Sequence, residues 1–334
     1  MAEPAASSRL PGVAEIDELA EKLMGGERRA LSRAITLVES VHPAAAEARR
    51  RLLAAVFQRS GGALRLAVSG PPGAGKSSLI DALGRHAITR GERVAVLAVD
   101  PSSRVSGGSV LGDKIRMTRL AQDPGSFIRP SPTAGLGGGV ARRTREVTLL
   151  CEAAGYSLVV IETVGVGQTE YAVAGMVDCF LLVLAPGGGD EIQGMKRGIL
   201  EVADVVAVNK ADRDDRARAE RARADLRGAL ALFSRPDSGA ERPVLLVSAL
   251  EETGVAELYD AAMAFATAAK ASGAFDARRA EQRLAWFREA VDQGLRDRFL
   301  RDPNALREFE RAEAGVARGE EGPAEAAERL LSLP

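Results

Sequence analysis

The sequence predicts an α/β protein built on a mostly parallel sheet with helices on both faces, flanked at each end by helical extensions. Three observations carry that reading. Strand-length apolar runs recur at 64–68, 94–99, 158–161, 180–184, 202–208 and 244–247, nearly continuous in Val, Ile, Leu and Ala. The segments between them are long enough for crossovers, the pattern of parallel strands buried on both faces. A glycine-rich loop follows the first run and leads into an amphipathic segment.

The flanks have a different period. Over 13–60, Ile16, Leu19, Ala20 and Leu23 share one helical face, and Leu31, Ala34, Ile35 and Val38 share another. Gly25-Gly26 separates the two. After Ser248 the spacing predicts helices over 255–269 and 278–298, the second with Leu284, Phe287, Ala290 and Leu295 near helical intervals. The tail from Asn304 to Leu333 is rich in Ala, Glu and Arg and has few large apolar residues. It reads as an extension that packs on something else, such as a second copy of the chain. Arg213–Arg227 reads as a charge-dense helix with a solvated face. The expected organisation is an N-terminal helical extension over 1–60, a nucleotide domain over 61–270 and a C-terminal helical arm over 271–334.

Composition narrows the function classes. The 334 residues are 46% hydrophobic with a formal net charge of −1. That fits a folded globular protein with no global pull toward nucleic acid or an anionic membrane. Two cysteines and two histidines supply neither a disulfide framework nor a zinc cluster, which suits a reducing cytoplasm. No apolar run approaches the ~20 residues of a membrane span. The acidic first twenty residues resemble neither a signal peptide nor an organelle leader. Only six of the 45 basic residues are lysine, so a lysine in a glycine-rich loop points to a need for a compact ammonium.

Gly70-Pro71-Pro72-Gly73-Ala74-Gly75-Lys76-Ser77 matches G-x-x-x-x-G-K-[ST] between a strand and a helix, with Ser78 following. Glycines let such a loop wrap a phosphate and aim successive backbone N–H groups at its oxygens. The helix N-terminus adds partial positive charge. Lys76 supplies a point charge for the β and γ phosphates, and Ser77 a hydroxyl ligand for Mg2+.

Asn209-Lys210-Ala211-Asp212 ends a later strand as N-K-x-D. A carboxylate at Asp212 can accept from both N1–H and the 2-amino group of guanine. Adenine offers a lone pair at N1 and no 2-amino group. A polar site built for one partner rejects the other by about 10⁴ in favourable cases. The Lys210 stem can cover the base. Ser248-Ala249-Leu250 ends the next strand and resembles the loop whose backbone donor meets guanine O6. The expected ligands are therefore GTP and GDP, with Mg2+.

Glu162 in Leu158–Gly165 stands where GTPases carry D-x-x-G. It can hold magnesium, and the Gly165 N–H is placed to sense the γ phosphate. Asp100 ends the second strand, on the crevice edge of an open α/β sheet, although an Asp-Pro there also serves as a turn or helix cap. Asp113, in a glycine-rich loop, is a candidate for holding magnesium through an intervening group or for orienting water. Gly187 to Lys196, with Asp190, Glu191 and Gln193, reads as a hinge that senses nucleotide state and touches a partner. No arginine finger can be picked out, so slow intrinsic turnover raised by a partner is expected.

The blocks GPPGAGKSS, VDPSS, GGSVLGDK, IETVGVGQTE, GGGDEIQGMKRG, NKAD and SAL together resemble the MeaB-type GTPases, methylmalonyl-CoA mutase-associated chaperones once labelled arginine/ornithine transport ATPases. The match runs from about residue 15 to 300, and the ETVGVGQ and GDEIQGMK blocks are its specific part. The resemblance implies a SIMIBI-class G domain, a C-terminal dimerisation arm, and slow GTP hydrolysis coupled to loading and protecting the adenosylcobalamin of a mutase. It implies that Asp100, Asp113 and Glu162 surround magnesium and that 187–196 is a partner-responsive switch. A cobalamin adenosyltransferase is a further candidate partner. Competing readings are a transport-system ATPase or kinase and a metal-insertion GTPase. N-K-x-D weighs against the first, and the scarcity of His and Cys against the second.

Overall fold

The computed structural model describes residues 12–40, 42–100, 117–132, 139–163, 169–187, 197–212, 215–231 and 242–332. It divides into two units, Met1–Arg278 and Arg279–Pro334.

The first unit opens with three helices, α1 (Val13–Met24), α2 (Arg28–Glu39) and α3 (Ala45–Phe57). It continues as β1 (Leu64–Ser69), α4 (Lys76–Thr89), β2 (Val94–Asp100), α5 (Thr118–Gln122), β3 (Ser126–Pro132), α6 (Gly139–Ala153), β4 (Leu158–Thr163), α7 (Thr169–Ala174) and β5 (Cys179–Leu184). Then follow α8 (Arg197–Val202), β6 (Val205–Val208), α9 (Arg216–Ala231), β7 (Val244–Leu246) and α10 (Val255–Ala271). The helix α11 (Ala274–Phe299) begins in this unit.

The seven strands form one sheet in the order β3-β2-β4-β1-β5-β6-β7, with every pairing parallel. β1 and β4 lie near the centre and are fed by unbroken apolar runs, because both of their faces are covered. Alternate side chains go to opposite faces. Ala67, Ile161, Phe180 and Leu182 join one core with α6 and α9. Leu66, Val68, Val160 and Leu181 join the other with α4 and α10. The N-terminal helices feed the first of these cores. Ile16, Leu23, Leu31, Ile35, Leu52 and Val56 are all fully or nearly fully buried in it. Each such side chain contributes about 1.5–3 kcal/mol relative to exposure.

Three expectations need correction. A strand absent from the sequence reading, β3, adds to the edge beside β2. Its Arg129, Pro130 and Pro132 break the apolar run, which an edge position tolerates. Val202 belongs to α8, and the strand read over 202–208 begins only at Val205. The C-terminal tail does bury a small cluster of its own. In the second unit, α12 (Pro303–Ala317) and α13 (Pro323–Leu331) pack through Ala312, Ala326 and Leu330, against Phe299, Phe309 and Val316. Small alanines allow this close approach without large apolar side chains. Asp302 caps α12 by accepting from the Asn304 N–H at 2.7 Å, with Pro303 in the first turn.

At the amino ends of the strands lies an ionic cluster whose carboxylates are buried. Arg65 of β1 pairs with Glu152 of α6 at 2.7 Å, and the Gly61 N–H donates to the same carboxylate at 2.6 Å. Asp178 accepts from the Arg65 N–H at 2.8 Å, and Asp204 from the Phe180 N–H at 2.9 Å. Arg278 donates to the Asp178 carbonyl at 2.6 Å and to the Asp204 carboxylate at 3.3 Å. Burial works against the Arg65 charge. The Glu152 hydrogen bond and the charges of Glu152 and Asp178 outweigh it, so the net shift is upward.

Both cysteines, Cys151 on α6 and Cys179 on β5, are buried. Burial, with the Glu152 charge adding to it, pushes the Cys151 thiol well up. No described helix is long and apolar enough to cross a membrane.

Candidate nucleotide site

The carboxyl ends of β1, β4, β5, β6 and β7 converge on the predicted residues. The phosphate loop leaves β1 at Gly70, whose φ is 149°. A Cβ there would overlap the Val183 carbonyl oxygen of the neighbouring β5, so the chain can turn this close to the sheet only without a side chain. Pro72 and Gly73 are exposed, Ala74 is buried and Ser78 faces solvent. Gly75 (φ 83°) hands the chain to α4, leaving the helix's first N–H groups turned toward the loop. A Cβ at Gly75 would sit 2.5 Å from the Asn209 Nδ2 atom.

Lys76 is buried and donates from Nζ to the Gly70 and Pro71 carbonyls at 2.8 and 3.0 Å. The ammonium therefore lies inside the loop it is expected to serve. Ser77 donates from Oγ to Glu162 Oε1 at 2.8 Å. Beneath them the Thr163 hydroxyl donates to Ser69 Oγ at 2.8 Å and ties β4 to β1. A hydroxyl and a carboxylate meeting at the end of a phosphate loop form an all-oxygen donor set of the kind a hard divalent cation takes. Asp100 ends β2, two strands from β1, but its side chain lies outside the described residues, as does Asp113.

The base loops are tied to the phosphate loop by one side chain. Asn209 donates from Nδ2 to the Ala74 carbonyl at 2.9 Å, while its Oδ1 accepts from the Ala249 N–H at 3.1 Å. Its own N–H donates to Leu184 of β5 at 2.7 Å. The sequence reading gave base recognition to Asp212 and no separate task to Asn209. The tie could not be read from spacing, since it crosses 135 residues. Ser248 donates its hydroxyl to Asp212 Oδ1, which aims the carboxylate. Lys210 is exposed, with φ 60°, and its Cε passes over Gly75. Leu250 sits at the exposed tip of the Ser248 loop.

Of the predicted switch residues, Gly187 is described, with φ 103°. Gly165, Asp190, Glu191, Gln193 and Lys196 lie outside the described residues. A contact unforeseen from sequence joins the helices that follow these two segments. Tyr171 of α7 lies on Gly198 of α8, so closely that a Cβ at 198 would overlap its hydroxyl and ring.

A phosphate loop on the central strand, with base loops at two successive strand ends beyond it, places the chain among the P-loop GTPases. The sequence profile described as "Methylmalonyl Co-A mutase-associated GTPase MeaB" matches residues 31–304. The chain belongs to that family. It is 48% identical over 318 residues to a probable GTPase of Mycobacterium tuberculosis, covering 95% of each chain. It is 43% identical over 326 residues to the mouse protein named "Methylmalonic aciduria type A homolog, mitochondrial", covering 95% of this chain and 79% of that one. Among solved structures, that of an "LAO/AO transport system kinase" superposes with a TM-score of 0.74 at 37% identity, covering 96% of this chain and 98% of that one.

Proposed function

We propose that this chain binds GTP with Mg2+, hydrolyses it slowly to GDP and phosphate, and uses that cycle to gate and protect the adenosylcobalamin of a methylmalonyl-CoA mutase in the cytoplasm. The observation that carries the guanine part is the base loop. Ser248 aims the Asp212 carboxylate, and Asn209 locks that loop to the phosphate loop. The mutase part is supported by the family's description as mutase-associated and by the 187–196 block.

In the chemistry we infer, a water oxygen bonds to the γ phosphorus as the bond to the β–γ bridging oxygen breaks. The electron pair leaves with GDP, and the water's proton goes to solvent or to the released phosphate. Lys76 exchanges its carbonyl partners for phosphate oxygens, and the backbone N–H groups of 73–77 hold the charge that develops there. Ser77 and Glu162 would hold the cation, with Asp100 and Asp113 as the further acids. When bound, it neutralises charge on the β and γ oxygens. The Gly165 N–H reports the γ phosphate, and Gly187, Asp190, Glu191, Gln193 and Lys196 carry that report to the partner. Leu284, Phe287, Val291 and Leu295 expose an apolar stripe on α11, which suits a second copy of this chain.

Calorimetric titration of GDP against ADP is the first test, followed by GTP turnover with and without a cobalamin-dependent acyl-CoA mutase. GDP preference of about 10³ or more, with turnover raised by the mutase, supports the whole reading. GDP preference with no mutase effect removes the client. Equal ADP binding removes guanine recognition and returns the transport-system ATPase or kinase reading.

A further inference from the structure

We propose that Glu252 is a positioning residue for base recognition, holding the loop that offers the Ala249 N–H to guanine O6. This rests on the guanine reading above. Among the described residues, only Lys210 and Glu252 combine a side chain with a left-handed backbone, at φ 60° and 56°. Both lie in base loops. That conformation is unfavourable for a residue with a Cβ, and Gly, Asn and Asp are its usual occupants. A glutamate there is explained by what its carboxylate does.

The Glu252 carboxylate pairs with Arg85 of α4 and, at 3.0 Å, with Arg119 of α5. Arg85 is itself held by Asp81 at 3.3 Å, and Asp81 accepts from the Leu120 N–H at 2.9 Å. The corner of the base loop is thus fastened to the helix that starts at the phosphate loop and to the short helix α5. Other anchors fix the two ends of the loop. Ser248 N–H donates to the Thr253 carbonyl at 2.9 Å, and Glu251 N–H to Ser248 Oγ at 2.9 Å. The apolar tip residue Leu250 is 84% exposed and anchors nothing. Between these points lies Ala249, whose N–H rests on Asn209 Oδ1 at 3.1 Å and would exchange that partner for guanine O6. The Glu252 pairs set the angle at which it does so. Backbone strain and a far-side ion pair together mark a loop whose geometry is imposed from outside.

The test compares E252D with E252N. Both replacements tolerate the left-handed backbone and have nearly the same shape, but only Asp keeps the charge. Binding of GDP, inosine diphosphate and magnesium pyrophosphate is measured by calorimetry on the full chain. E252N is expected to weaken GDP by about threefold to fivefold, the upper scale of a partly exposed ion pair, and E252D to recover most of that. Inosine diphosphate keeps O6 and lacks the 2-amino group, so it should weaken by the same factor. Pyrophosphate should bind unchanged. E252N/R85Q should lose no more GDP affinity than E252N alone, because the Glu252–Arg85 pair is already gone in E252N. GDP binding unchanged in E252N would overturn the proposal. So would equal loss with E252D, a parallel loss of pyrophosphate, or a changed ratio of GDP to inosine diphosphate, which would point to Asp212. Wild-type protein with no preference for GDP over ADP would instead refute guanine recognition itself.

Discussion

The two ends of the parallel sheet are built in opposite ways. At the carboxyl ends the chain turns through glycines, keeps Lys76 on its own loop carbonyls and leaves Pro72, Gly73 and Leu250 in solvent. At the amino ends the buried carboxylates of Glu152, Asp178 and Asp204 form a network with Arg65 and the partly exposed Arg278, joining β1, α6, the residues just before β5 and β6, and the start of α11. One end has groups whose partners can be exchanged for a ligand. The other has buried carboxylates held by backbone N–H groups and arginines of the protein itself. The difference separates the interactions that stabilise the fold from those that serve the nucleotide. A parallel sheet makes this division natural, because every crossover returns to the same edge.

The sharpest way to break that contrast is at the amino end. Glu152→Ala leaves the buried Arg65 charge without its carboxylate and should cost about 3–5 kcal/mol of stability. The urea midpoint should fall, with turnover per folded molecule unchanged. A large loss of turnover with intact stability would show that the network serves the site. The mirror experiment is Lys76→Ala. GTP hydrolysis should drop by about 10²–10³, the scale of losing one charge-stabilising donor, and the melting temperature should hardly move.

A smaller effect is expected inside the site end. Gly198→Ala pushes Tyr171 aside, and coupling changes of this kind are worth about 0.5–2 kcal/mol. Basal turnover should stay within about twofold while stimulation by the mutase falls. Equal stimulation would mean that α7 and α8 act separately. The smallest effect calibrates the buried pair against an exposed one. The Arg51 hydrogen bond holds the Asp17 carboxyl below the usual carboxylate range. Its contribution is present above that range and lost as pH falls through the lowered value. Asp17→Asn should lower stability slightly at neutral pH, where the contribution is present, and leave it unchanged below the lowered value, so that the acid limb of a pH–stability curve flattens.

What could be read in advance follows the reach of each interaction. β1, β2, β4 and β5 announce themselves because burial on both faces demands unbroken apolar runs. β3 does not, because an edge strand is free to carry Arg129 and Pro130. Val202 is apolar for the sake of helix packing, and the run alone could not separate it from the strand that follows. Gly70 to Ser77 and Asn209 to Asp212 are contiguous, so their chemistry shows in the sequence. Arg65 meets Glu152 across 87 residues, and Glu252 meets Arg85 across 167, so neither pair leaves a local trace. The tail misled for a related reason: alanines pack closely once the helices are in place, yet carry little weight in a hydrophobic pattern.

The burial of Cys151 and Cys179 has a practical consequence. With both native sulfurs shielded, the protein offers a silent background for thiol chemistry. A cysteine introduced at Leu284 or Leu295 would be the reactive one, and a spin label or fluorophore placed there would report directly on whatever covers the α11 stripe. The same background suits a probe at Gly187. A label there would test the proposed response of this segment to nucleotide, with no native thiol to remove first.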